Sequence, residues 1–143
     1  MAFSWEEKKI TKAQRKIGAK RLLATAALLE IIPPEKFDMG RWIGYRDTDG
    51  IQKTVTDLNH CGTAACAWGH AMISFPQLQP VVRHGHHLFV LIEGVQHSLT
   101  EGACEFYHLT TKEAEALFWP AHVGSVTQAM EIRRLRKFAA SMV

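Results

Sequence analysis

No apolar run in this chain reaches the roughly 18 to 20 residues that a helix needs to cross a bilayer, which excludes a membrane-spanning helix. The first ten residues, Met1 to Ile10, are charged and hold no apolar centre of the kind a secretory signal requires. Cysteine is scarce. Cys61, Cys66 and Cys104 are an odd set and are not spaced as a disulfide framework, so a reducing, cytoplasmic setting is the simplest expectation. Internal repeats and low-complexity segments are missing. So are the Walker loop and the G-x-G-x-x-G, H-E-x-x-H and G-x-S-x-G patterns. Their absence removes the usual sequence support for phosphate-cradling loops, dinucleotide binding, zincin chemistry and nucleophile-elbow hydrolases.

What is present is an ordinary globular composition. The chain has 143 residues, 47% of them hydrophobic and 22% charged, enough to bury a core, and one domain over residues 1–143 is expected. The net charge of +3 hides an uneven distribution. Residues 1–21 and 125–143 together hold eleven basic and three acidic side chains, whereas residues 22–124 hold six and eleven. Such asymmetry marks either solvated helix faces or contact with an anionic partner. Lys12, Arg15, Lys16, Arg133, Arg134 and Arg136 are the candidate contacts for a nucleic acid or an acidic protein surface. Binding by both ends requires the two terminal helices to lie side by side.

Apolar spacing predicts a mainly helical α+β fold, with about five helices and one small β-hairpin or sheet. A basic N-terminal helix is expected over about residues 4–32, opened by Ser4-Trp5-Glu6-Glu7 or by Thr11 and ended by Pro33-Pro34. Ile10, Ala13, Ile17, Ala24, Leu28 and Ile31 form its expected apolar stripe. Asp47-Thr48-Asp49-Gly50 is a turn signal, and a short strand is expected within Ile51 to Leu58. A small-residue helix bearing the cysteines is expected over about 61–74, capped by Asn59 or Thr63 and stopped at Phe75-Pro76. A hairpin follows over about 87–97, turning at Glu93-Gly94. The C-terminal helices span about 98–142, opened at Ser98, Thr110 and Ser125 by capping-box patterns. Ile132, Leu135, Phe138, Ala139 and Met142 form the buried face of the last one.

The segment from His60 to His70 concentrates the recognisable chemistry. It allows three readings. In the first, Cys61 at a helix mouth is a thiolate nucleophile. The helix dipole would lower its pKa, and His84, His86 or His87, leading into a strand, would act as base, as in papain-like hydrolases and transferases. Gln96 or His97 would then orient the histidine. In the second, Cys66 and His70, four residues apart, share a helix face and bind zinc with Cys61 and His60 or the later histidines. The third is plain packing, since free cysteine behaves as a small hydrophobe. Cys104 and Trp68 fit that third reading as core residues, and so do Trp42 and Trp119, while His108 and His122 sit at helix ends.

Phe37-Asp38-Met39-Gly40-Arg41-Trp42, Cys61-Gly62-Thr63-Ala64-Ala65-Cys66-Ala67-Trp68-Gly69-His70-Ala71, Phe75-Pro76 and Ala114-Glu115-Ala116-Leu117-Phe118-Trp119-Pro120 together resemble a group of short bacterial and phage proteins. These share F-D-M-x-x-W, C-G-T-x-x-C-x-x-G and E-A-x-x-L-F blocks, and the resemblance covers roughly residues 20–120. The group has no assigned activity, so no catalytic residues carry over. What the resemblance implies is a single intracellular domain of bacterial or phage type, with phage–host interaction as a role. The leading expectation is a small non-catalytic protein that binds a macromolecular partner, protein or nucleic acid. It would do so through the basic terminal helices or an aromatic loop around Trp42. No cofactor is expected, with zinc as the alternative.

Overall fold

The computed structural model describes residues 9–37, 43–44, 64–83, 87–118 and 126–143. Helix α1 runs Lys12–Ile31. Thr11 caps it: its hydroxyl accepts from the Gln14 amide at 3.1 Å while the Gln14 side-chain oxygen accepts from the Thr11 amide at 2.9 Å. This reciprocal box satisfies two amide donors at the helix mouth. It starts the helix at the later of the two expected points, because Lys9 and Ile10 are not helical; Ser4 lies outside the described residues. Ile32 turns extended ahead of Pro33, and Pro34–Lys36 forms a single 3-10 turn.

The expected stripe of α1 is not its buried face. Ile17 is 44% and Ile31 78% exposed, and Ala13 and Ala24 are exposed too. The buried residues are Gly18, Ala19, Leu22, Thr25, Ala26 and Leu29. The cause is a close backbone approach. A Cβ at Gly18 would stand 1.9 Å from the Tyr107 carbonyl oxygen, so only glycine lets α1 cross there.

Two strand residues, β1 (Ile43–Gly44), pair antiparallel with β2 (Ala64–Ala65). Helix α2 follows at Ala67–Ser74, with Cys66 as its cap. The cysteine helix is therefore shorter than expected. Ala64 and Ala65, good helix formers, are used in strand pairing instead, which overrides a weak intrinsic preference. Phe75 ends α2, as expected.

Strands β3 (Leu78–Arg83), β4 (His87–Ile92) and β5 (Val95–His97) form an antiparallel sheet in that order. The hairpin turns at Glu93 and Gly94, both at positive φ, the geometry that matches the twist of adjoining strands. Beyond the expected hairpin, β3 adds a third strand. Pro80 lies in its middle, tolerated because β3 pairs on one side only among the described residues.

Helices α3 (Leu99–Tyr107) and α4 (Thr111–Phe118) begin as expected, at Ser98 and Thr110, whose hydroxyls accept from the Glu101 and Glu113 amides. His108 closes α3 in the left-handed conformation. The last helix, α5, spans Gln128–Ser141 and is capped by Thr127 rather than Ser125. Gln128 is instead drawn across to α1, where its amide nitrogen donates to the Leu29 and Ile32 carbonyls at 2.5 and 2.8 Å. That bond ties the start of α5 to the end of α1. At the other end Met142 reaches the neighbourhood of Gly18. The two terminal helices thus lie side by side and antiparallel, with the most extensive packing of any two helices among the described residues.

The core sits beneath them. Trp68 of α2, Phe106 and Tyr107 of α3 and Phe118 of α4 form an aromatic cluster with ring centroids 4.9 to 6.2 Å apart. Its polar tips are paired: Trp68 Nε1 donates to the Leu99 carbonyl at 3.0 Å, and the Thr25 and Tyr107 hydroxyls lie 2.6 Å apart. No helix among the described residues is long and apolar enough to cross a membrane.

Candidate functional site

Two regions hold the residues singled out from the sequence. The first is the mouth of α2. Cys66 is fully buried there, and its Sγ accepts a bond from the Gly69 amide at 3.4 Å. Amide donors at a helix start favour thiolate, but burial acts the other way and is the larger effect, pushing the thiol up to about 12. Cys104 is buried in α3 and is likewise raised to about 12 by burial. Both are thiols at neutral pH. His70 Nε2 donates to the Lys36 carbonyl at 2.6 Å, which places the proton on that nitrogen and occupies it. Cys61, His60, His84 and His86, the other members of the proposed thiol and zinc sites, lie outside the described residues, as do Trp42, Trp119 and His122. His87 stands in β4 opposite Arg83. Among the described residues no three of His, Cys, Asp and Glu cluster as metal donors do.

The second region is the outer seam between α1 and α5. The helices carry matching patterns: Lys16, Ala19, Lys20 and Leu23 on one, Arg136, Ala139, Ala140 and Val143 on the other, each at i, i+3, i+4 and i+7. Together they enclose an open groove of about 340 Å³, with Val143 two residues past the end of α5. Its floor is aliphatic, from Leu23, Val143 and three alanines, and its rim is cationic. At 100° per residue Lys12 falls on the α1 flank of the groove, and Arg133 and Lys137 fall on the α5 flank. Because the helices run antiparallel, both flanks open on the same side of the molecule.

The basic residues divide by what they touch. Arg15 pairs with Glu113 at 2.8 Å. Arg134 is bound to the Ala116 carbonyl and lies 3.2 Å from the buried Glu131 carboxylate. Arg21 donates to the Phe106 carbonyl at 2.7 Å and covers that ring at 4.4 Å. Arg136 pairs with Glu30 at the edge of the groove. Lys12, Lys16, Lys20, Arg133 and Lys137 are exposed and make no ion pair among the described residues. Of these, Lys20 and Lys137 were in the charge count but not among the expected contacts. The i, i+4 steps from Lys16 to Lys20 and from Arg133 to Lys137 were the available signal.

Glu131 had no signal in the sequence. It occupies the buried side of α5, where Arg134 Nε stands 3.2 Å from one carboxylate oxygen without forming a well-aligned hydrogen bond. Burial raises its pKa to about 8, with Arg134 offsetting part of the effect.

Comparison of the chain with protein-family models, with curated proteins and with solved structures finds no match.

Proposed function

We propose that this protein is a non-catalytic interaction protein that binds an anionic macromolecular partner along the α1–α5 groove. One observation carries the reading. Two antiparallel terminal helices bring separate basic segments to one side of the molecule, and five of those cations have no ionic partner among the described residues. Unpaired like charges repel one another and do not stabilise a fold, and aligned on one side they make a surface that an anion would complement. Cys66 and Cys104 are buried thiols and poor nucleophiles, since an effective nucleophile needs a lowered pKa, while the candidate nucleophile Cys61 lies outside the described residues.

Duplex DNA and poly-glutamate are the two polyanion probes. At about 50 mM salt at least one binds, and its affinity falls by orders of magnitude by about 200 mM, as counterion release requires. The double variant Lys16→Glu/Lys20→Glu loses that binding. No binding of either probe at the low-salt end overturns the proposal.

A further inference from the structure

The groove has features that phosphate recognition does not call for. Its floor is aliphatic, with no aromatic ring on which a base could stack. Leu23 is 48% and Val143 77% exposed, so both present apolar area that water covers when the groove is empty. The alanines at 19, 139 and 140 leave the floor shallow enough for another backbone to come near. A seam between two helices, floored by small residues, has the shape into which a third helix packs ridge-into-groove. Lys12 to Leu23 covers about 16 Å along α1, roughly three turns of a docked helix.

We infer that the occupant is an acidic amphipathic helix of a partner protein, an identification that rests on the anion-binding reading above. Apolar residues at i, i+3 or i+4, and i+7 of that helix settle on Leu23, Val143 and the alanines. Glutamates or aspartates along one flank face Lys12, Lys16 and Lys20, and those along the other face Arg133, Arg136 and Lys137. The charges align the helix and speed its encounter, while the buried apolar seam holds it. Glu30, paired with Arg136, disfavours a carboxylate at its own end of the groove. The acidic residues of the partner are thus expected opposite Lys16 and Lys20.

The test uses the full chain and three labelled probes followed by fluorescence anisotropy. One is a peptide of about five helical turns with leucine and alanine along one face and glutamate on both flanks. The second has the same composition scrambled so that no apolar face forms, and the third is duplex DNA. The amphipathic peptide binds at least about tenfold more tightly than the scrambled one, and gains helical circular dichroism when bound. Leu23→Asp, an exposed change whose fold is checked by its own circular dichroism, reduces the amphipathic peptide to the scrambled level. Lys16→Glu/Lys20→Glu weakens both peptides. Equal binding of the two peptides, or tighter binding of the duplex than of either, overturns the helix inference and leaves anion binding standing. Failure of all three probes overturns both.

Discussion

At the mouth of α2 a cysteine, a histidine and a tryptophan are enclosed, and each has a partner inside the fold: Cys66 with the Gly69 amide, His70 with the Lys36 carbonyl, Trp68 with the Leu99 carbonyl. Along the α1–α5 groove the reverse holds. Lysines and aliphatic side chains stand next to one another in water with no partner for the lysines among the described residues. The first region contains the residue types associated with chemistry and uses them for packing. The second contains unremarkable residue types and leaves them to water. Enclosure with an internal partner, more than residue identity, separates what stabilises this chain from what stays open to solvent.

Substitutions should divide along the same line. Trp68→Ala has the largest expected effect, because it removes a fully buried ring at the centre of the aromatic cluster along with its bond to Leu99. A loss of about 3 to 5 kcal/mol is expected from urea denaturation. Gly18→Ala comes next and reverses the usual sign. In a helix interior alanine is favoured over glycine by about 1 kcal/mol. Here the added Cβ would meet the Tyr107 carbonyl, and overpacking of that kind costs about 1 to 3 kcal/mol. A Gly18→Ala variant more stable than the parent would show that α1 does not cross α3 at this point.

Glu131 gives a prediction in pH. Its carboxyl titrates near 8 in the folded chain, against an ordinary value of 4.5. Between those limits the folded state keeps a proton that the unfolded state releases, so stability falls as pH rises. The destabilisation is absent below about 4.5 and fully developed above about 8. The slope from this group approaches about 1.4 kcal/mol per pH unit at most. Glu131→Gln should flatten the dependence and raise the unfolding midpoint at pH 8. A variant as pH-sensitive as the parent would place the cause elsewhere. The smallest stability effect belongs to the groove: Lys16→Glu/Lys20→Glu should lie within about 0.5 kcal/mol of the parent, because both side chains are exposed and unpaired among the described residues.

Much of the fold was readable where the signal is local. Ser98 with Glu101 and Thr110 with Glu113 set the starts of α3 and α4 through bonds made within four residues. The Glu93-Gly94 turn is local in the same sense. What failed depended on distant contacts. Helix α1 has apolar residues on more than one face, and the buried one, with Gly18, Leu22, Ala26 and Leu29, is selected by contacts such as that of Tyr107, far along the chain, with Gly18. Ala64 and Ala65 became strand through pairing with Ile43 and Gly44. The third strand was hidden by Pro80, which reads as a breaker unless its place at a sheet edge is known. The candidate site was half legible. Basic residues at both ends could be counted, but their union in one groove depends on the antiparallel packing that Gln128 and Gly18 help secure.

Backbone amide shifts recorded during titration with the acidic amphipathic peptide test the central claim most directly. Perturbations are expected to cluster on Lys16, Ala19, Lys20 and Leu23 of α1 and on Arg136, Ala139, Ala140 and Val143 of α5, with α2 and the β3–β5 sheet unmoved. Perturbations centred on α2 or on the sheet, with the α1–α5 seam silent, would contradict the account.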